Sequence, residues 1–153
     1  MKHVCLGALA LVLGTTSVAS AEDCNGLGSR IYDDPVKIAG AKDGQTTFLV
    51  KSQGSVTTLE PASMQETVWQ QCNGLWTAQP DGSGAGNGVC YAVDAQGDSW
   101  TITWSVAGDQ RTWKTIHGTG KFAGRAGSEG TFTPGDRFGD GLRINTWDGN
   151  CLQ

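Results

Sequence analysis

Histidine is almost missing from this chain of 153 residues, with His3 and His117 as the only two. A zinc site built from several histidines is thereby excluded, and a hydrolase triad would have to rest on His117 with no G-x-S-x-G elbow to support it. Basic clusters are also missing. The 11 lysines and arginines, against 15 aspartates and glutamates, are spaced singly, so no basic face for nucleic acid or an anionic membrane is expected. No apolar run reaches the roughly 20 residues that cross a bilayer as a helix. Helical periodicity is missing too, and 23 glycines argue against helices. Residues 82–88 lack the Gly-Lys-Ser/Thr that closes a P-loop, and the glycines of 118–124 are misplaced for a dinucleotide fingerprint. No cofactor is expected.

What is present begins with residues 1–21, MKHVCLGALALVLGTTSVASA, a short basic start, an apolar run and small residues at the end. This reads as a secretory leader cleaved after Ala21, which predicts an exported protein, periplasmic or extracellular, with one domain over 22–153. Beyond the leader lie Cys24, Cys72, Cys90 and Cys151. An even number of cysteines in an oxidising compartment predicts two disulfides. Of the three possible pairings the favoured one joins Cys72 with Cys90, around an obvious loop, and Cys24 with Cys151, tying the chain ends.

From residue 36 onward, short β-type runs alternate with turns. Residues 46–51 (TTFLVK) and 56–60 (VTTLE) flank Ser52-Gln53-Gly54-Ser55 and read as a hairpin, whereas 22–34 reads as a polar arm. Residues 80–88 (PDGSGAGNG) look like a flexible loop. The run 99–106 (SWTITWSV) alternates cleanly, with Trp100, Ile102, Trp104 and Val106 on one face. About eight such runs in one domain predict an all-β fold, a small antiparallel β-barrel with a β-sandwich as the alternative.

The stretch 113–132 (WKTIHGTGKFAGRAGSEGTF) places five glycines between two strand-like runs, a tightly folded corner. Its portion 116–132 resembles the glycine-rich signature of the allene oxide cyclase and dirigent-like barrels. That resemblance implies an eight-stranded antiparallel barrel able to hold an apolar molecule, and often a homo-oligomer, a trimer. Plant relatives close an unsaturated fatty-acid epoxide or steer the coupling of phenolic radicals. The residues that carry across are Gly118, Gly120, Phe122, Gly124 and Gly127, in a structural turn. The four cysteines depart from the plant pattern.

The candidate chemistry rests on few residues. Glu66 shares a strand face with Val68 and Cys72; if that face is interior, its carboxyl is placed for general acid work in an isomerase or cyclase, with Tyr91 as a second proton carrier. Trp69, Trp100, Trp104 and Trp113 are the expected wall of a pocket for a small apolar or aromatic ligand. The acidic loop 136–141 reads as an ordinary turn and not as a calcium site, so no metal is expected. Three functions follow in order: a binder of a small apolar or aromatic molecule, a cofactor-free isomerase or cyclase, and a filled barrel serving protein interaction.

Overall fold

The structure, a computed structural model, describes residues 20–40, 42–139 and 141–152. The leader expected over 1–21 lies outside them except for Ser20 and Ala21, as does Asp140 of the acidic loop. Among the described residues there are nine strands, β1 (Ala21–Tyr32), β2 (Val36–Gly40), β3 (Thr46–Glu60), β4 (Glu66–Ala78), β5 (Gly84–Val93), β6 (Ser99–Ala107), β7 (Gln110–Gly118), β8 (Glu129–Phe138) and β9 (Leu142–Leu152). All pair antiparallel, in the order β1-β9-β8-β7-β6-β5-β4-β3-β2. A further pairing of β1 with β3 closes the sheet into an eight-stranded barrel, and β2 remains as an extra strand on β3. Closure answers the choice between barrel and sandwich, since it pairs the edges an open sheet would expose.

The disulfides are the expected ones. Cys24 joins Cys151 between β1 and β9, and Cys72 joins Cys90 between register partners of β4 and β5. The first links strands near the two ends of the described chain, and with Met64 it forms a small buried cluster.

Three sequence-based expectations need correction. The arm expected at 22–34 is largely strand β1, which pairs on both sides and completes the barrel. Its inward residues Cys24, Gly26 and Gly28 are buried, and such small side chains leave no apolar alternation to detect. The hairpin expected at 52–55 is uninterrupted strand within β3. Ser52 and Gly54 face inward there and are held between β1 and β4, so the ladder on both sides overrides their turn preference. The loop expected over 80–88 shrinks, because Gly84, Gly86 and Gly88 already belong to β5.

One end of the barrel is sealed. The glycine stretch between β7 and β8 folds into a short 3-10 turn, Gly120–Arg125, that turns back into the barrel. Phe122 is 0 % exposed, meets Trp100 edge to face at 4.7 Å, and packs in one cluster with Val56, Val68 and Ala92. Burying such a ring contributes about 1.5–3 kcal/mol. Two glycines make the return possible. A β-carbon on Gly118 would collide with the Phe122 backbone, and Gly120 takes φ +52 with the Asp98 carboxylate where its β-carbon would be. The opposite end, where β1, β4, β6 and β8 finish, is the mouth.

Candidate functional site

Between floor and mouth the barrel encloses a cavity of about 560 Å³. Its walls follow from strand parity, because every second residue points inward. On β6 these are Trp100, Ile102, Trp104 and Val106, the face expected from the alternation, and all four line the cavity. Trp76, Trp113 and Trp147 line it as well.

Each of these five tryptophans stands directly across from a glycine on the neighbouring strand: Trp76 from Gly86, Trp100 from Gly118, Trp104 from Gly88, Trp113 from Gly130 and Trp147 from Gly26. A glycine has no side chain to prop its partner away, so a cross-strand indole can fold down over the backbone. The rings of Trp76, Trp104 and Trp147 occupy the space where β-carbons on Gly86, Gly88 and Gly26 would sit. Laid along the wall, the indoles supply aromatic surface without filling the lumen. Trp113 Nε1 donates to the carbonyls of Thr131 (3.0 Å) and Asp148 (3.2 Å). The indole nitrogens of Trp100, Trp104 and Trp147 find no hydrogen-bond partner among the described residues.

Charge inside the barrel is arranged in two tiers. At the floor, Glu66 is gripped by Arg125 (2.9 Å) and Lys121 (2.9 Å), and Lys121 also meets Asp94 at 2.7 Å. The Arg125 guanidinium lies 4.7 Å from the ring centroids of both Trp100 and Phe122. Burial pushes it below its ordinary pKa, and Glu66 opposes that shift. Toward the mouth the balance is different. Arg30 on β1 is the register partner of Arg143 on β9, which is the partner of Arg137 on β8. All three line the cavity, with Arg111. Arg30 donates through Nη2 to Gln70 Oε1, and its Nη1 lies 2.6 Å from Cys72 Sγ. Gly54 sits between Arg30 and Gln70 in register, so no side chain blocks the reach across β3. Burial pushes the Arg30 guanidinium below its ordinary pKa, with a smaller opposing effect from Tyr32.

The residues singled out from sequence separate accordingly. Trp100, Trp104 and Trp113 come together on the cavity wall. Trp69 and Tyr91 do not: they are 49 % and 50 % exposed on the outer surface. Their immediate neighbours Gln70 and Cys90 are buried and line the cavity, so parity sends Trp69 and Tyr91 outward. Glu66 does face inward, with 14 % of its side chain exposed, but it belongs to the ion-paired floor and not to the cavity lining. Gly118, Gly120, Phe122, Gly124 and Gly127 build the floor and its return to β8. His117 is exposed.

The arginines were missed by sequence reasoning. One signal could have found Arg30: it continues the period of two through Cys24, Gly26 and Gly28, and a disulfide cysteine marks the inner face. Arg137 and Arg143 carry no such marker, since only the register of β8 with β9 brings them together.

No family model matches the chain, and no curated protein does. Among solved structures, the chain is similar to the pterocarpan synthase dirigent protein GePTS1, at 13 % identity and a TM-score of 0.47, over 97 % of this chain and 99 % of that one. The chain is a disulfide-bonded antiparallel β-barrel.

Proposed function

We propose that this protein is exported and binds a small molecule with an aromatic or apolar body in the lumen of its barrel. The observation that carries the reading is the cavity of about 560 Å³, open at the mouth, sealed at the floor and walled by indoles that lie along the strands. Pockets of this size, with a mainly apolar wall and a few polar groups, suit small-molecule ligands. The two disulfides fit an oxidising compartment.

The catalytic alternative has less support. Of its two expected proton carriers, Tyr91 lies outside the barrel and both carboxylate oxygens of Glu66 face cations. A solidly filled barrel is disfavoured by the cavity itself.

The test is titration with 2-naphthamide, a neutral aromatic probe, read by tryptophan fluorescence and calorimetry. Saturable one-to-one binding is expected, and it should be lost in Gly28→Leu. Gly28 lines the cavity, and a β-carbon there meets only ordinary contacts, 3.8 Å or more away. The β-carbon is therefore accommodated, and the leucine takes up space in the lumen beside Val56 and Arg30. Binding that survives Gly28→Leu would place the probe elsewhere and overturn the reading.

A further inference from the structure

We propose that the row Arg30, Arg143 and Arg137 is an anion-recognition site, and that the ligand of the barrel is an apolar or aromatic molecule bearing a carboxylate. The proposal rests on the lumen-binding reading and adds the chemical class of the ligand.

The first ground is placement. The cross-strand registers set Gln70, Gly54, Arg30, Arg143 and Arg137 in one line across five adjacent strands, β4, β3, β1, β9 and β8. Four of the five residues line the cavity, and the fifth, Gly54, has no side chain to interrupt the line. Three arginines in neighbouring register positions repel one another, so without a counter-ion the arrangement costs stability. In a chain of net charge −4 this is a local reversal of sign.

The second ground is how Arg30 is satisfied. Its two contacts are to neutral groups, the Gln70 amide oxygen and the Cys72 sulfur. A guanidinium has five N–H donors, so donors remain for a ligand. Among the described residues, no carboxylate lies within ion-pair distance of Arg30, Arg137 or Arg143. The ion-paired acids are committed elsewhere. Glu66 and Asp94 hold Lys121 and Arg125 at the floor, and Glu129 holds Lys114 on the outer wall. Asp33 and Asp34 line the same cavity, as do Lys51 and Arg111, but neither aspartate forms an ion pair with the three arginines. A charge buried without a counter-ion is costly, and burial already disfavours the charged form of Arg30. A carboxylate entering from the mouth would remove that cost, and the planar guanidinium fork matches it in two parallel hydrogen bonds.

The third ground is the rest of the lining. Trp100, Ile102 and Trp104 line the same cavity as the arginine row, and Phe122 of the floor turn packs against Trp100. A ligand with its acid group at Arg30 and its apolar body against Trp100, Ile102 and Trp104 would meet matching chemistry at both ends. The arginine row would also focus anions at the mouth.

The experiment compares 2-naphthoate with 2-naphthamide, which share a ring system and differ in charge, by calorimetry on the disulfide-bonded protein. The naphthoate should bind at least about tenfold more tightly. In Arg30→Met, which keeps an unbranched apolar stem, that ratio should collapse to within about twofold. Arg143→Met is the second variant, expected to lower the ratio in the same direction, and each variant is checked for its native melting transition. Equal binding of the two probes by the wild-type protein overturns the anion site and leaves lumen binding standing. A ratio that persists in correctly folded Arg30→Met and Arg143→Met also overturns it. Binding of neither probe overturns both readings, and the wild-type comparison requires no variant to fold.

Discussion

The ring of Trp76 occupies the space that a β-carbon on Gly84 would need, with Cζ2 standing 2.5 Å from that position. The three nearest atoms there all belong to the Trp76 side chain, whereas at Gly88 or Gly149 a backbone carbonyl also intrudes. Gly84→Ala is therefore a clean probe of indole against glycine. It should destabilise the protein by about 1–3 kcal/mol, as other overpacked sites do. In a Trp76→Leu background the penalty should shrink, giving a coupling energy that a double-mutant cycle by urea denaturation measures directly. Additive effects would mean that the penalty does not come from the Trp76 ring.

Phe122→Ala should cost about 3–5 kcal/mol, because the phenyl ring is fully buried and its loss opens a void under Trp100. Phe138→Ala is the control. That ring is 53 % exposed, and truncating it should change stability by no more than about 0.5 kcal/mol. Denaturant midpoints with unchanged slopes would check both. Equal effects would mean that the floor turn is only loosely packed against the barrel.

The parts of this molecule that were legible in the sequence are those where one strand face is apolar and the other polar. Strand β6 shows it best: Trp100, Ile102, Trp104 and Val106 point inward, Thr101 and Thr103 outward, and the alternation survives in the fold. Strand β1 reverses the usual pattern. Its inward face carries Gly26, Gly28 and Arg30, while Leu27 and Ile31 are exposed at 41 % and 50 %. An open lumen does not ask for large apolar side chains from every strand, so hydrophobic alternation fails where the wall borders the cavity. The disulfides were readable because their pairing followed from loop length and chain ends. The arginine row was not, because residues 30, 137 and 143 meet only through the registers of β1, β8 and β9.

The two disulfides should contribute unequally. Cys24 and Cys151 are separated by 127 positions, Cys72 and Cys90 by 18. If the main effect is to restrict the unfolded chain, the longer loop is worth roughly 5 kcal/mol and the shorter roughly 3. Paired serine variants, compared by guanidinium denaturation, should show the larger loss for Cys24→Ser with Cys151→Ser. The opposite order would mean that native-state packing around Cys72 and Cys90 outweighs chain entropy.

The floor ion pairs predict a stability plateau with two edges. Lys121 holds the Asp94 carboxyl below its ordinary pKa, aided by the backbone N–H groups of Gln96 and Asp98 and opposed by desolvation. Only 4 % of the Asp94 side chain is exposed, but it is covered by a surface turn and by Lys121. Lys121 itself is raised above its ordinary value, first by Asp94 and then by Glu66. A depressed carboxyl stabilises the fold fully above its unfolded pKa, about 3.9, and loses that contribution as pH falls through the lower folded value. A raised ammonium stabilises fully below its unfolded pKa, about 10.4, and loses it as pH rises through the higher folded value. Asp94→Asn keeps the oxygen that accepts from Gln96 and Asp98, and replaces the Oδ2 that faces Lys121 with a neutral NH2 group that cannot accept from it. The melting-temperature gap between wild type and Asp94→Asn should thus be flat from about pH 5 to 9 and close at both extremes. Because Lys121 is 46 % exposed, high salt should also narrow the gap at neutral pH. A gap that stays constant down to about pH 2 would show that Asp94 acts through its turn geometry and not through its charge.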